Sequence, residues 1–476
     1  MSKQELSPTE LLSQPLTLPC GLLLPNRLVK CPMQETLAEA PFFDPPISKF
    51  KNLYGQWSES NYGLIITGQV QIDIRFLSIA GDVVCHSNAL SSPHFEKWKE
   101  WAEIAQSHGT PTIVQLAHPG RMSPTGAGNR PSDMPALCPS SVPVNLSDKW
   151  LEKFAIQSLL GTPKAMDLQD IEEAIEGWKN GARVSKAAGF KGIQLHGAHG
   201  FLLSQFLSPH TNRRTDVYGG SPEGRMKLLK RLVTEIRAEF PAPFCLSVKL
   251  NSGDYMEKGG LSQDEALEQV RWLTTCGMVD FVEISGGNAE QKNSGLHRSF
   301  GAQSLTVAPK IKESTRIRES YFTEFAERVA QIPGTKCPLQ LSGGFRSRTG
   351  MADAIASGAC DLIGLGRTAV LEPDIPKRLL LNTEREDDEA LAMPHIIKGQ
   401  WLSNMIPIKV VGSGLPIQFF YFNMRRLGNG LKSDPDKSIP GLVISSIVET
   451  LRSGITVTLQ RIVETLGWTP KVQKVE

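Results

Sequence analysis

The sequence predicts an α/β protein: a parallel (β/α)8 barrel over residues 12–385, with an N-terminal hairpin and a mostly helical C-terminal extension over residues 386–476. Three observations predict it. Eight short apolar runs rich in β-branched residues alternate with longer stretches of helical period, the pattern of parallel strands joined by crossover helices. Glycines close the seventh and eighth runs, at Gly343-Gly344 and Gly364-Leu365-Gly366, and Arg367 follows. Barrels often bind phosphate after those two strands. Two histidines three residues apart, His196 and His199, end the fourth run, where α/β folds place their chemistry. A doubly wound sheet is the alternative topology.

The elements follow in order. Leu16-Thr17-Leu18 and Leu22-Leu23-Leu24 flank Pro19-Cys20-Gly21 and read as a hairpin that plugs the barrel floor. The eight strands are Leu28–Cys31, Leu64–Thr67, Thr112–Leu116, Gly192–His196, Phe244–Leu250, Phe281–Ser285, Leu339–Ser342 and Leu362–Gly364. Helices are expected at Ile47–Ser60, His94–His108, Asp167–Ala188, Glu223–Phe240, Ser262–Cys276, Tyr321–Gln331 and Arg348–Ser357. In the third, Leu168, Ile171, Ile175, Trp178 and Ala182 step by three or four, Asp167 caps the start and Gly189 ends it. Arg121–Met166 and Gly286–Glu319 are long loops rich in Pro, Gly, Ser and Asn, placed to rise over the catalytic face. After residue 385 the alternation stops. Ile439–Trp468 reads as an appended helix, packed on the barrel wall or on a second subunit of a homo-oligomer; a membrane-surface helix is the alternative, for which its lysines and arginines are few.

Composition removes several function classes. The chain has 476 residues, 40% hydrophobic and 21% charged, with a net charge of +2. That charge gives no electrostatic case for nucleic acid. No apolar run reaches the roughly 18 residues of a membrane span, and Met1–Glu10 has no apolar signal core. Eight cysteines lie apart, with no Cys-x-x-Cys pair, so reduced thiols in a cytoplasmic protein are expected rather than disulfides or a metal site.

The candidate chemistry sits at strand ends. Glycines at 343, 344 and 366 let backbone N–H groups approach a phosphate, and Arg367 can pair with it. Plain tight turns are the bland reading. No Gly-x-Gly-x-x-Gly separates a strand from a helix, so a separate dinucleotide-binding domain is not expected. Lys249, between Val248 and Leu250, could stabilise an electron-rich ring or simply reach solvent. Gln115 could bind ring carbonyl and N–H groups. His196 and His199 have no Asp or Glu close by, so no metal is expected on them.

Taken together, the chain resembles the old yellow enzymes, FMN-dependent ene reductases and NAD(P)H:flavin oxidoreductases on a (β/α)8 barrel. The resemblance covers roughly residues 12 to 385. It rests on Leu24-Pro25-Asn26-Arg27-Leu28, Cys31-Pro32-Met33, Gly63-Leu64-Ile65-Ile66-Thr67-Gly68 and Gln115-Leu116-Ala117-His118-Pro119-Gly120-Arg121. His196-Gly197-Ala198-His199-Gly200, the run Asn212–Gly220, Ser342-Gly343-Gly344 and Gly366-Arg367 complete it.

The resemblance implies roles. Cys31, Pro32, Met33 and Gln34 would lie along the isoalloxazine, with Gly68 close to it. Gln115 would bind the pyrimidine edge, and Lys249 would stand near N1 and the C2 oxygen, where many relatives carry arginine. Gly343, Gly344, Gly366 and Arg367 would hold the phosphate. His196 and His199 would donate to an oxygen of the acceptor, polarising a conjugated C=C for hydride transfer. The Asn212–Gly220 run reads as structural. Two departures stand out. The second position after His199 is commonly tyrosine, a proton donor; here Phe201 lines the substrate pocket with no proton to give. Residues 34 to 36 are Gln, Glu and Thr, without the Cys and Tyr of some relatives. The implied activity is reduction of an activated alkene or quinone by NAD(P)H. Redox-neutral alkene isomerisation is the alternative, and a flavin-free phosphate-ligand lyase or isomerase is the alternative of another class.

Overall fold

The computed structural model describes residues 6–442, except 132, 147–148, 257–258, 288–289, 291–321, 393–396 and 400–408. Eight parallel strands close into a barrel: β1 (Leu28–Lys30), β2 (Leu64–Gln71), β3 (Thr112–Ala117), β4 (Gly192–Gly197), β5 (Cys245–Asn251), β6 (Phe281–Ser285), β7 (Leu339–Ser342) and β8 (Leu362–Leu365). Each pairs with its neighbours in sequence, and β8 closes on β1. All seven expected helices form within a few residues of their predicted ends. Leu168–Ala188 has the reciprocal Asp167–Asp170 capping box at its start and Gly189 in the left-handed conformation at its end, as its sequence dictates.

Period-two alternation sorts the strand residues. One set, including Leu28, Ile65, Val114, Ile193, Leu195, Val248 and Ile284, joins the main core with the surrounding helices. The other set turns inward. At the amino end it is apolar: Val29, Leu64, Ile66, Ile113, Cys245, Phe281 and Leu362 form one buried cluster with Leu18, Cys20 and Leu24. The latter three belong to the hairpin of Leu16–Thr17 and Leu23–Leu24, which therefore plugs the floor. Burying each such aliphatic or aromatic side chain is worth about 1.5–3 kcal/mol.

One expectation needs correction. Arg121–Met166 is not a structureless loop. It carries the helix Trp150–Leu160 and a short ladder of Leu137–Cys138 against Lys164–Ala165. Its Pro and Gly residues punctuate these small elements rather than prevent them. In the extension, a helix forms over Lys409–Gly428, which the sequence pattern does not reveal, and residues 439–442 are helical as well. Gly412, Gly414 and Pro416 interrupt its apolar period. Of the expected helix Ile439–Trp468, only residues 439–442 lie within the described residues. There Ile439 and Leu442 bury against Leu371 and Phe419. The greater part of Gly286–Glu319 also lies outside the described residues. No described helix is long and apolar enough to cross a membrane.

Candidate active site

Toward the carboxyl end, the same inward positions become polar. Strand register sets Gln115 beside Gln194, His196 beside Lys249, Lys249 beside Glu283, and Glu283 beside Gln340. Side chains follow that register. Gln115 Nε2 donates to Gln194 Oε1 at 2.8 Å, and Gln194 Nε2 donates to Glu283 Oε2 at 3.0 Å. Lys249 Nζ stands 2.8 Å from Glu283 Oε1, and both side chains are buried. Desolvating such a pair is costly, so removing either partner alone would strand a charge. Glu283 and Gln194 were not singled out from sequence. Their signal was available: each is a polar residue at an inward position of an apolar strand.

β4 runs into His196-Gly197-Ala198-His199. The Ala198 N–H donates to His196 Nδ1 at 3.4 Å, which assigns the ring proton to Nε2. His199 adopts a positive φ of 58°, its N–H donates to Asn251 Oδ1 at 3.2 Å, and its Nε2 lies 2.9 Å from Ser285 Oγ. The two rings are 5.3 Å apart. Burial, then the Lys249 ammonium, holds His196 well below the usual histidine range; His199 is lowered likewise, with His196 adding to it. Both are neutral imidazoles near pH 7. Phe201 stacks on His196 with centroids 4.5 Å apart and sits just before the helix Leu202–Leu207.

At the end of β1, burial pushes the Cys31 thiol up to about 12, so it stays a thiol; its Sγ lies 3.1 Å from Ser342 Oγ. Behind the strand, Lys30 lies 3.9 Å over the Trp57 ring, and burial lowers it to about 8. Glu35 accepts from the Gly68 N–H at 3.0 Å and from the Tyr54 hydroxyl. A Cβ on Gly68 would stand 2.7 Å from Met33 O and from Glu35 Cδ, so the glycine is needed by the chain's own packing. Gln34 turns its amide toward Ser78, Asp82 and Tyr421. Gly343 and Gly344 hold φ of 108° and 96° after β7, a conformation that glycine adopts cheaply. Gly366 precedes the short helix Arg367–Leu371 after β8. Ser342 and Gly364 pair in the sheet, so the structure brings the two glycine turns together.

Three loops meet above this face. The buried Glu290, after β6, pairs with Arg121, accepts from the Asn145 N–H at 2.7 Å, and lies 3.5 Å from His210 Nε2. The Asn212–Gly220 run is structural: Asn212 Nδ2 donates to Phe206 O and Tyr218 O, both at 2.7 Å.

Residues 12–386 match the NADH:flavin oxidoreductase / NADH oxidase family. An NADH-dependent flavin oxidoreductase, iliE, of Hypocrea jecorina (strain QM6a) is 37% identical over 397 residues, covering 83% of this chain and 95% of that protein. The iliE protein of Neonectria sp. (strain DH2) is 35% identical over 455 residues, covering 92% of this chain but only 58% of its own longer sequence. In fold, the chain is similar to morphinone reductase in complex with tetrahydroNAD, with a TM-score of 0.58 and 22% identity, over 77% of this chain and 89% of that one. With its site at the carboxyl end of the barrel and this match along most of its length, the chain belongs to the NADH:flavin oxidoreductase / NADH oxidase family, the old yellow enzymes.

Proposed function

We propose that the chain takes hydride from NAD(P)H and reduces an activated C=C of the enone type or a quinone-like acceptor. Family membership makes it an oxidoreductase with FMN as its cofactor. The residues present fit that group. A Cβ on Gly366 would reach 3.4 Å from Met33 Sδ, so any side chain there would fill the space between that glycine and the β1 segment. Gly343, Gly344, Gly366 and Arg367 would hold the phosphate, and Cys31, Pro32, Met33, Gln34 and Gly68 would border the ring. Gln115, its nitrogen committed to Gln194, would offer its oxygen to a ring N–H. Lys249 would offset negative charge on the ring.

When bound, FMN supplies hydride acceptance from NAD(P)H and hydride donation to the acceptor. The chain's own groups do the rest. His196 Nε2–H would donate to the acceptor oxygen, with His199 beside it, and polarise the conjugated double bond. Because both rings are neutral, they stabilise developing negative charge as hydrogen-bond donors without giving up a proton. That paired, neutral arrangement at the end of β4 is the observation that carries the reading. Phe201, stacked on His196, supplies no proton. The missing hydroxyl at that position favours a second reading, in which hydride is returned and an alkene is isomerised with no net redox change.

An absorbance spectrum of the purified protein followed by an anaerobic NAD(P)H titration tests the proposal. Bleaching of a flavin band, and release of FMN on denaturation, are expected. A colourless protein that takes up no FMN would return the chain to the flavin-free class.

A further inference from the structure

The extension helix Lys409–Gly428 reaches the carboxyl end of β1. Its Tyr421 is buried, and the hydroxyl donates to Gln34 Oε1. Gln34 follows Pro32 and Met33. The amide nitrogen of Gln34 is committed on the opposite side, donating to Ser78 Oγ at 2.7 Å and to Asp82 Oδ1 at 2.8 Å. Asp82 is itself buried and accepts from Gln71 Nε2 at 2.9 Å. A flipped amide would set its oxygen against the Asp82 carboxylate, so the orientation is fixed from both ends. Burial, then the nearby Asp82, holds the Tyr421 phenol above its ordinary range, so the hydroxyl remains a donor.

We propose, on the reading that Gln34 borders the flavin, that Tyr421 is a positioning residue of the flavin site. Through Gln34, the extension sets the polar surroundings of a ring bound in the barrel. Both amide hydrogens of Gln34 are used, and one lone pair of its oxygen is taken by Tyr421. What Gln34 retains is a single acceptor lone pair. The side chain therefore presents an acceptor, not a donor, and Tyr421 sets the direction of the lone pair that remains. Without the hydroxyl, the amide keeps its Asp82 side but loses its anchor on the other, and its end can rotate.

Full-length holoprotein serves for the test. Tyr421→Phe keeps the ring and removes only the hydroxyl. Gln34→Leu removes the intermediary. Ile417→Ala, on the exposed side of the same helix, is the control. The readouts are the FMN dissociation constant, the absorbance bands of bound flavin and its midpoint potential. Tyr421→Phe should raise the dissociation constant about three- to ten-fold, the loss of one hydrogen bond, and move the bands and the potential. Ile417→Ala should do neither. In the Gln34→Leu background, Tyr421→Phe should have no further effect on any readout. Equal effects in both backgrounds, or a lowered melting temperature with bands and potential unmoved, would show that Tyr421 only packs the helix, and would overturn the assignment. So would a wild-type protein that binds FMN and cannot be told from Tyr421→Phe. Wild-type protein that takes up no FMN would instead remove the functional reading beneath it.

Discussion

The two ends of the barrel use the same strands and differ by one or two steps of the pleat. At the floor, Ile113, Cys245 and Phe281 face one another in an apolar cluster closed by the hairpin. Two residues further along, the same strands present Gln115, Ser247 and Glu283; two more bring Lys249 and Ser285. The floor is a packing problem solved by apolar volume. The roof gives up that stabilisation and buries charge, amides and imidazoles instead. Such groups are costly to bury, and groups shifted by burial and by a charged neighbour cluster at functional sites. Stability and chemistry are thus separated along the strand axis by about one turn of alternation.

This separation can be broken in four ways. The largest effect belongs to the floor. Phe281→Ala should destabilise the protein by about 3–5 kcal/mol, while the folded fraction keeps its flavin reduction rate. Calorimetry beside anaerobic stopped flow checks it; a loss of flavin reduction in the folded fraction would mean that the ends are not independent. Next is Phe201→Tyr. A positioned acid contributes about 10²–10⁴-fold, so reduction of enones should accelerate toward that range while flavin reduction by NAD(P)H stays unchanged. Where the natural reaction is isomerisation, the variant should divert product to the saturated compound. Stopped flow of the oxidative half-reaction with product analysis decides; identical rates and products for every alkene would remove Phe201 from the chemistry.

A third effect concerns acid. Burial lowers His118, just after β3, from 6.5 to about 4. Unfolded, the ring takes its proton near 6.5; folded, near 4. Between those values the unfolded state binds more protons. Stability present above pH 6.5 is therefore lost as the pH falls, by about 2–3 kcal/mol at pH 4.5 from this one group. His118→Asn, which retains an acceptor for the Gly120 N–H that bonds Nδ1 at 3.0 Å, should flatten that part of the urea-midpoint curve. An unchanged slope would refute it. The smallest effect is on ligand affinity. His196→Ala should weaken a para-substituted phenol, held by its oxygen, by about 1–3 kcal/mol, seen as a fainter charge-transfer band. Undiminished binding would deny His196 its donor role.

How much of this was legible in the sequence depended on distance along the chain. β6 and β7 were read to the residue because their alternation is uninterrupted. β2 was read short at Thr67 because Gly68-Gln69-Val70-Gln71 loses the apolar run, and its ladder slips in register between Ile66 and Gln69. His196, His199 and Lys249 stood out because they sit at strand ends. Glu283 did not, because its meaning comes from Lys249 on the neighbouring strand, and only register places them together. Tyr421 gave no signal at all: it lies 387 residues from Gln34, in a helix whose pattern is broken by two glycines and a proline.

The way that helix is seated also limits how the protein can be divided. Met424 and Leu427 belong to the barrel's main apolar core. The Gly428 carbonyl accepts from Asn52 Nδ2 at 2.9 Å. A chain shortened to the family match at residue 386 would lose part of its own interior, not an ornament. The fit at the helix end is close: a Cβ on Gly428 would stand 3.2 Å from Leu37 Cδ1 and 3.4 Å from Lys49 Cβ. Barrel and helix therefore pack as one unit, and a cut between them would expose the apolar surface that Met424 and Leu427 cover.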